Sequence, residues 1–126
     1  MNYLRIKKNK EITGILKNGK RGHSESLTVA YVPAERTKMA VCVGKKHGKS
    51  TERNRIKRLL REVFRLRADE LSYPCACVLL PKVAQEYSFS VFRRDLGKIL
   101  KRERLIEYQH PKSDQAERQV SPKNGV

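Results

Sequence analysis

Between Lys45 and Arg67 the chain reads KKHGKSTERNRIKRLLREVFRLR, ten lysines or arginines against two carboxylates, Glu52 and Glu62. At about 100° per residue, Ile56, Leu59, Leu60, Val63 and Phe64 gather on one side of a helix. Asn54, Arg58, Arg61 and Arg65 fall roughly opposite, with Arg53, Arg55 and Lys57 on the flanks. Cations four residues apart, such as Arg53 with Lys57 and Lys57 with Arg61, repel by a few tenths of a kcal/mol. Such a helix needs a core for its apolar side and gains most from an anionic partner for its basic side. A plain solvated face is the competing reading, and like-sign density over an apolar backing weighs against it.

The whole chain leans the same way. Its 126 residues carry 29 Lys plus Arg against 13 acids, a net charge of +16. That excess bears on partners rather than on fold, and points to nucleic acid before an anionic membrane surface. The length suits one domain with a single modest core. No apolar run approaches the roughly 18 residues of a spanning helix, and the N-terminal MNYLRIKKNKE lacks the apolar stretch of a signal peptide. A cytoplasmic protein is expected. Cys42, Cys75 and Cys77 form no CxxC pair, and His23, His47 and His110 are not at ligand spacing. The cysteines read as small apolar residues in a reducing compartment, and no protein-bound metal or other cofactor is expected.

Pattern along the chain places the other elements. Asn9 can cap a short helix with Ile12, Ile15 and Leu16 on one face, which Gly19 stops. Lys20 to Glu25 is a short edge strand or a loop. LTVAYV from Leu27 to Val32 is a strand with Leu27, Val29 and Tyr31 on one face, and Met39 to Val43 is a second, wholly apolar and so central. Ser50 or Thr51 caps the basic helix, which ends near residues 68–71, ahead of Pro74. Residues 75–80, CACVLL, form a third apolar strand. Ser88 caps a last helix with Phe89, Phe92, Leu96, Ile99 and Leu100 on one stripe. Residues 1–106 make the domain, and the polar, aperiodic stretch 107–126 reads as a disordered tail. The fold class is α+β, a single-domain α-β sandwich.

Gly44-Lys45-Lys46, Gly48 and Arg53-Asn54-Arg55-Ile56-Lys57-Arg58-Leu59 together resemble the signature of the bacterial ribonuclease P protein component, and the likeness extends over residues 4–102. The resemblance implies the plan α-β-β-β-α-β-α, similar to the second domain of small-subunit ribosomal protein five. It also implies a left-handed βαβ crossover, where the general rule alone selects the right-handed form. It implies a protein subunit that binds a catalytic RNA and the 5′ leader of precursor transfer RNA. The endonucleolytic chemistry would then belong to the RNA and its magnesium ions. Consistently, Asp69, Asp95 and Asp114 are scattered, with no paired-acid motif, and no catalytic residue is assigned. No obligate protein partner is evident.

Three RNA-facing groups are expected. The first is the basic helix with its lead-in: Lys45, Lys46, Lys49, Arg53, Asn54, Arg55, Lys57, Arg58, Arg61 and Arg65. Guanidinium forks match phosphate oxygens, and Asn54 could read a base edge or be an ordinary surface residue. The second is a cleft between the first helix and the sheet, where the resemblance places a strand aromatic at Tyr31. Relatives often carry Phe on that helix where this chain has Ile12 and Leu16, which removes the stacking faces. Core packing is the competing role for Ile12, Ile15 and Leu16. The third group is Arg5, Lys7, Lys8 and Lys10 at the N-terminus. A small ribosomal protein and a DNA-binding protein using the major groove are the alternatives. Bound ribosomal RNA would favour the first, and the absence of a dimerisation heptad or helix-turn-helix spacing argues against the second.

Overall fold

The computed structural model describes residues 3–106. The expected tail at 107–126 lies outside the described residues. In chain order the elements are β1 (Leu4–Arg5), α1 (Asn9–Asn18), β2 (Lys20–His23), β3 (Leu27–Pro33), β4 (Lys38–Val41), α2 (Ser50–Arg67), β5 (Cys75–Pro81) and α3 (Phe89–Arg102). Single 3-10 turns occupy Lys45–His47 and Ala68–Glu70. The plan is the expected mixed α+β one, with β1 added ahead of the first helix.

The five strands pair in the order β1-β4-β5-β3-β2. β2 with β3 and β3 with β5 are antiparallel, while β4 runs parallel to both β1 and β5. Parallel neighbours need a long crossover, and α2 is that connection between β4 and β5. The middle of the sheet is β5, buried along most of its length. β4, expected to be central, is one place from the edge and is flanked there by only two residues of β1.

Strand alternation divides the core between the two sheet faces. Leu27, Val29, Tyr31, Met39, Cys75, Cys77 and Leu79 face α2 and α3, packing with Ile56, Leu60, Val63, Phe64, Phe92 and Leu96. Ala30, Ala40, Ala76 and Val78 face α1 with Ile6 and Ile15. The side toward α2 and α3 takes the large residues and the α1 side takes the small ones, so α1 covers a shallow face. Cys42, Cys75 and Cys77 are free thiols.

Helix ends differ from expectation in instructive ways. Asn9 is the first residue of α1 and Lys8 its N-cap; likewise Lys49, not Ser50 or Thr51, caps α2, and neither cap makes a side-chain hydrogen bond. Ser88 does cap α3, its hydroxyl accepting from the Val91 N–H. Gly19 ends α1 for a packing reason: a Cβ there would lie 2.6 Å from the carbonyl oxygens of both Ile15 and Tyr31. At the end of α3, Arg104 takes a left-handed φ of 61°. The Leu105 N–H then reaches the Leu100 carbonyl and the Arg104 N–H the Lys101 carbonyl, a Schellman closure in which glycine is usual.

Candidate nucleic-acid interface

In α2 the helix faces divide largely as the periodicity requires. Ile56, Leu60, Val63 and Phe64 are wholly buried, whereas Asn54, Arg55, Arg58 and Arg65 are exposed. Arg53, Lys57 and Arg61 are half-buried on the flanks, so Arg61 leaves the outer stripe where the wheel put it. Two guanidinium groups meet carboxylates of their own helix: Arg55 pairs with Glu52 at 3.4 Å, and Arg65 is hydrogen-bonded to Glu62. Exposed pairs of this kind are worth about 0–1 kcal/mol and exchange readily with a stronger anion. Among the described residues no carboxylate forms an ion pair with Lys57, Arg58 or Arg61.

Tertiary structure brings the separate basic groups together. β1 pairs with β4 only at Lys38 and Met39, leaving the rest of that edge open. A cleft of about 170 Å³ forms there, lined by Arg5 and Lys7 from the N-terminal run, Asn9 and Ile12 of α1, and Lys57 and Arg61 of α2. Burial, with the Arg5 charge beside it, pulls the Arg61 guanidinium below its ordinary value. Concentrated like charge, partly desolvated, is the arrangement an anion relieves. Lys8 is exposed next to this run, and Lys45, Lys46 and Lys49 are exposed at the entrance to α2.

Two expected members do not join the cleft in the expected way. Tyr31 lies on the opposite sheet face, among α2 and α3, only 5% exposed, with its hydroxyl donating to Glu103 Oε1 at 2.6 Å. Burial and that carboxylate raise its phenol well above the ordinary value. Side chains alternate along β3, so the residue facing α1 is Ala30. No aromatic is among the residues that line the cleft. Leu16 packs half-buried against the α1-side core, as does Ile12, but only Ile12 lines the cleft. Core packing accounts for Ile15, which is buried.

One basic residue of the stretch belongs to the protein's own scaffold. Arg67 donates to the Arg93 carbonyl at 3.1 Å and pairs with Glu70 at 3.1 Å, joining α2 to α3. Sequence reasoning also passed over His47, whose ring ties the Lys45–His47 turn to the end of β5. Its signal was present, a histidine inside a Gly-Lys-Lys-His-Gly turn, but its partner Pro81 is far along the chain. Among the described residues no group of three or more His, Cys, Asp or Glu is placed to hold a metal ion. No helix there is long and apolar enough to cross a membrane.

A family model described as Ribonuclease P matches residues 1–104. The chain belongs to this family. Among its relatives, the ribonuclease P protein component of Clostridium kluyveri is 49% identical over 72 residues, covering 55% of this chain and 63% of the relative. That of Thermus oshimai is 36% identical over 94 residues, 73% of this chain and 60% of the relative. The chain thus spans about three fifths of the length of these curated relatives. In structure it is similar to the ribonuclease P protein of Thermotoga maritima, with TM-score 0.70, 27% identity, and coverage of 82% of this chain and 98% of that one. The Staphylococcus aureus ribonuclease P protein shares the fold at TM-score 0.68 and 24% identity, over 82% of this chain and 97% of that one.

Proposed function

We propose that this chain is the protein subunit of a ribonuclease P ribonucleoprotein, a cytoplasmic assembly that trims the 5′ end of precursor transfer RNA. The observation that carries the reading is the convergence of Arg5, Lys7, Lys57 and Arg61 on one cleft beside an exposed row of helix cations, in a member of the family. The exposed lysines and α2 residues, Lys45, Lys46, Lys49, Asn54, Arg55, Arg58 and Arg65, bind the catalytic RNA. The cleft takes the single-stranded 5′ leader, its phosphates against Arg5, Lys7, Lys57 and Arg61. Ile12 supplies van der Waals contact in place of aromatic stacking. Stacking contributes about 1–3 kcal/mol per base where an aromatic is present, so leader affinity here depends more on charge.

The chemistry falls to the RNA partner and its magnesium ions. The protein's share is electrostatic: fixed cations beside crowded phosphates lower the magnesium that the folded RNA needs, and grip on the leader favours precursor over mature transfer RNA. Reconstitution tests this. With a bacterial ribonuclease P RNA at low magnesium, the protein should restore cleavage of precursor transfer RNA and tighten its binding relative to mature transfer RNA. A mixture that behaves as the RNA alone would refute the proposal.

A further inference from the structure

The turn that presents Lys45 and Lys46 is fastened by His47. Its Nδ1 accepts from the Gly44 N–H at 3.0 Å, and its Nε2 lies 2.7 Å from the Pro81 carbonyl oxygen at the end of β5. An amide N–H can only donate, so Nδ1 must be bare; a carbonyl oxygen can only accept, so Nε2 must carry the hydrogen. Both partners select one state, the neutral Nε2–H imidazole. The ring also meets Tyr87, with centroids 6.3 Å apart. The turn closes on itself through His47 N–H to the Gly44 carbonyl and Gly48 N–H to the Lys45 carbonyl, with Gly48 at φ 118°. The ring is half-buried while Lys45, Lys46 and Lys49 are exposed, so the histidine anchors a segment that otherwise projects into solvent.

We propose that His47 is a positioning residue for RNA binding: the neutral ring holds the Lys45–Lys49 turn closed through Gly44 while tying it to β5, and protonation of the ring breaks the Gly44 bond and loosens the turn. The inference rests on the RNA-binding reading above. An imidazolium would turn a second N–H toward the Gly44 N–H, donor against donor, and that hydrogen bond is lost, whereas Nε2–H keeps its bond to the Pro81 carbonyl. The charged and titratable groups on the segments packed around the ring are Lys45, Lys46 and Lys49 of its own loop, Lys82 after Pro81, Glu86 and Tyr87 before α3, and Glu52 in the first turn of α2. Glu52, whose side chain approaches Gly48, is engaged with Arg55. The expected sign is unusual. Added positive charge by itself strengthens RNA binding as pH falls, whereas loss of the Gly44 bond loosens the turn, disperses its lysines and weakens binding.

The test uses the full chain with a bacterial ribonuclease P RNA transcript, at fixed salt, from about pH 8 to about pH 5.5, the span over which histidine changes charge. Wild type is compared with His47→Asn, which retains an acceptor toward Gly44, and His47→Gln, which retains a donor toward Pro81. Neither variant titrates there. On acidification the wild type should lose about fivefold more affinity than either variant, the equivalent of one hydrogen bond. Nitrogen-15 spectra of the wild-type ring near neutral pH should show the Nε2–H tautomer without any RNA. Superimposable pH profiles, or an Nδ1–H tautomer, would overturn the latch while leaving RNA binding standing. No RNA binding by the wild type at any pH would overturn the functional reading and this inference together.

Discussion

Arg67 lies across Gly97: its Nη2 donates to the Arg93 carbonyl, and a Cβ placed on Gly97 would come within 2.6 Å of that same nitrogen. A guanidinium from the basic helix thus occupies the space that a glycine leaves open on α3. Glycine inside a helix costs about 1 kcal/mol relative to alanine, and here it admits the contact that joins the two helices.

This relationship sets opposite signs for one substitution in two backgrounds. Gly97→Ala should destabilise the wild type, because the guanidinium must give up its bonds to Arg93 and Glu70, each worth about 1 kcal/mol. In an Arg67→Ala background the same change should stabilise by about 0.5–1 kcal/mol through helix propensity. Urea denaturation of the four proteins measures the coupling, and simple additivity would show that the contact carries no energy.

The two faces of α2 should separate in mutagenesis. Leu60 is fully buried, so Leu60→Ala should cost about 2–5 kcal/mol of stability. Arg58 is exposed, and Arg58→Ala should leave the melting temperature nearly unchanged while lowering the salt slope of RNA binding by about 0.7–0.9, one phosphate contact. Comparable loss of thermal stability in both variants would mean that Arg58 has a scaffold role.

Tyr31→Phe distinguishes a leader contact from an internal tie. The hydroxyl bonds Glu103 on the α3 side, so its removal should cost about 1 kcal/mol of stability and leave leader affinity unaltered. Binding of leader-bearing and leaderless transfer RNA, measured beside denaturation, checks both halves.

Asp95 gives a pH dependence. It is 1% exposed, accepting from the Ser26 N–H at 3.1 Å and from Arg94 at 3.0 Å. Burial raises its carboxyl, but the hydrogen bonds from Ser26 and Arg94 outweigh that and hold it below the ordinary value. A depressed folded value means that the ionised group stabilises the fold above the unfolded value, near pH 3.9, and that this contribution is lost as pH falls through the folded one. Asp95→Asn should therefore be less stable near neutrality by about 1–2 kcal/mol, with a flatter acid limb below about pH 4. Parallel acid limbs in denaturation curves of the two proteins would remove Asp95 from the account.

What the amino-acid order settled alone was whatever depends on near neighbours in the chain. The burial of Ile56, Leu60, Val63 and Phe64 follows from their spacing, the capping role of Ser88 from its place before an apolar stripe, and the strand at residues 75–80 from an unbroken apolar run. The expectation of an anionic partner follows from a net charge of +16, half of it between Lys45 and Arg67. Alternation along β3 also separates Tyr31 from Ala30, but it carries no information on which set meets α1. That was decided when the sheet buried its large side chains against α2 and α3 and left its alanines to the first helix. The meeting of Arg5 and Lys7 with Lys57 and Arg61, the withdrawal of Arg67 into a helix contact and the hold of His47 on Pro81 are likewise tertiary. Each joins residues whose separation along the chain far exceeds a turn of helix, and only packing of the whole sheet brings them within reach.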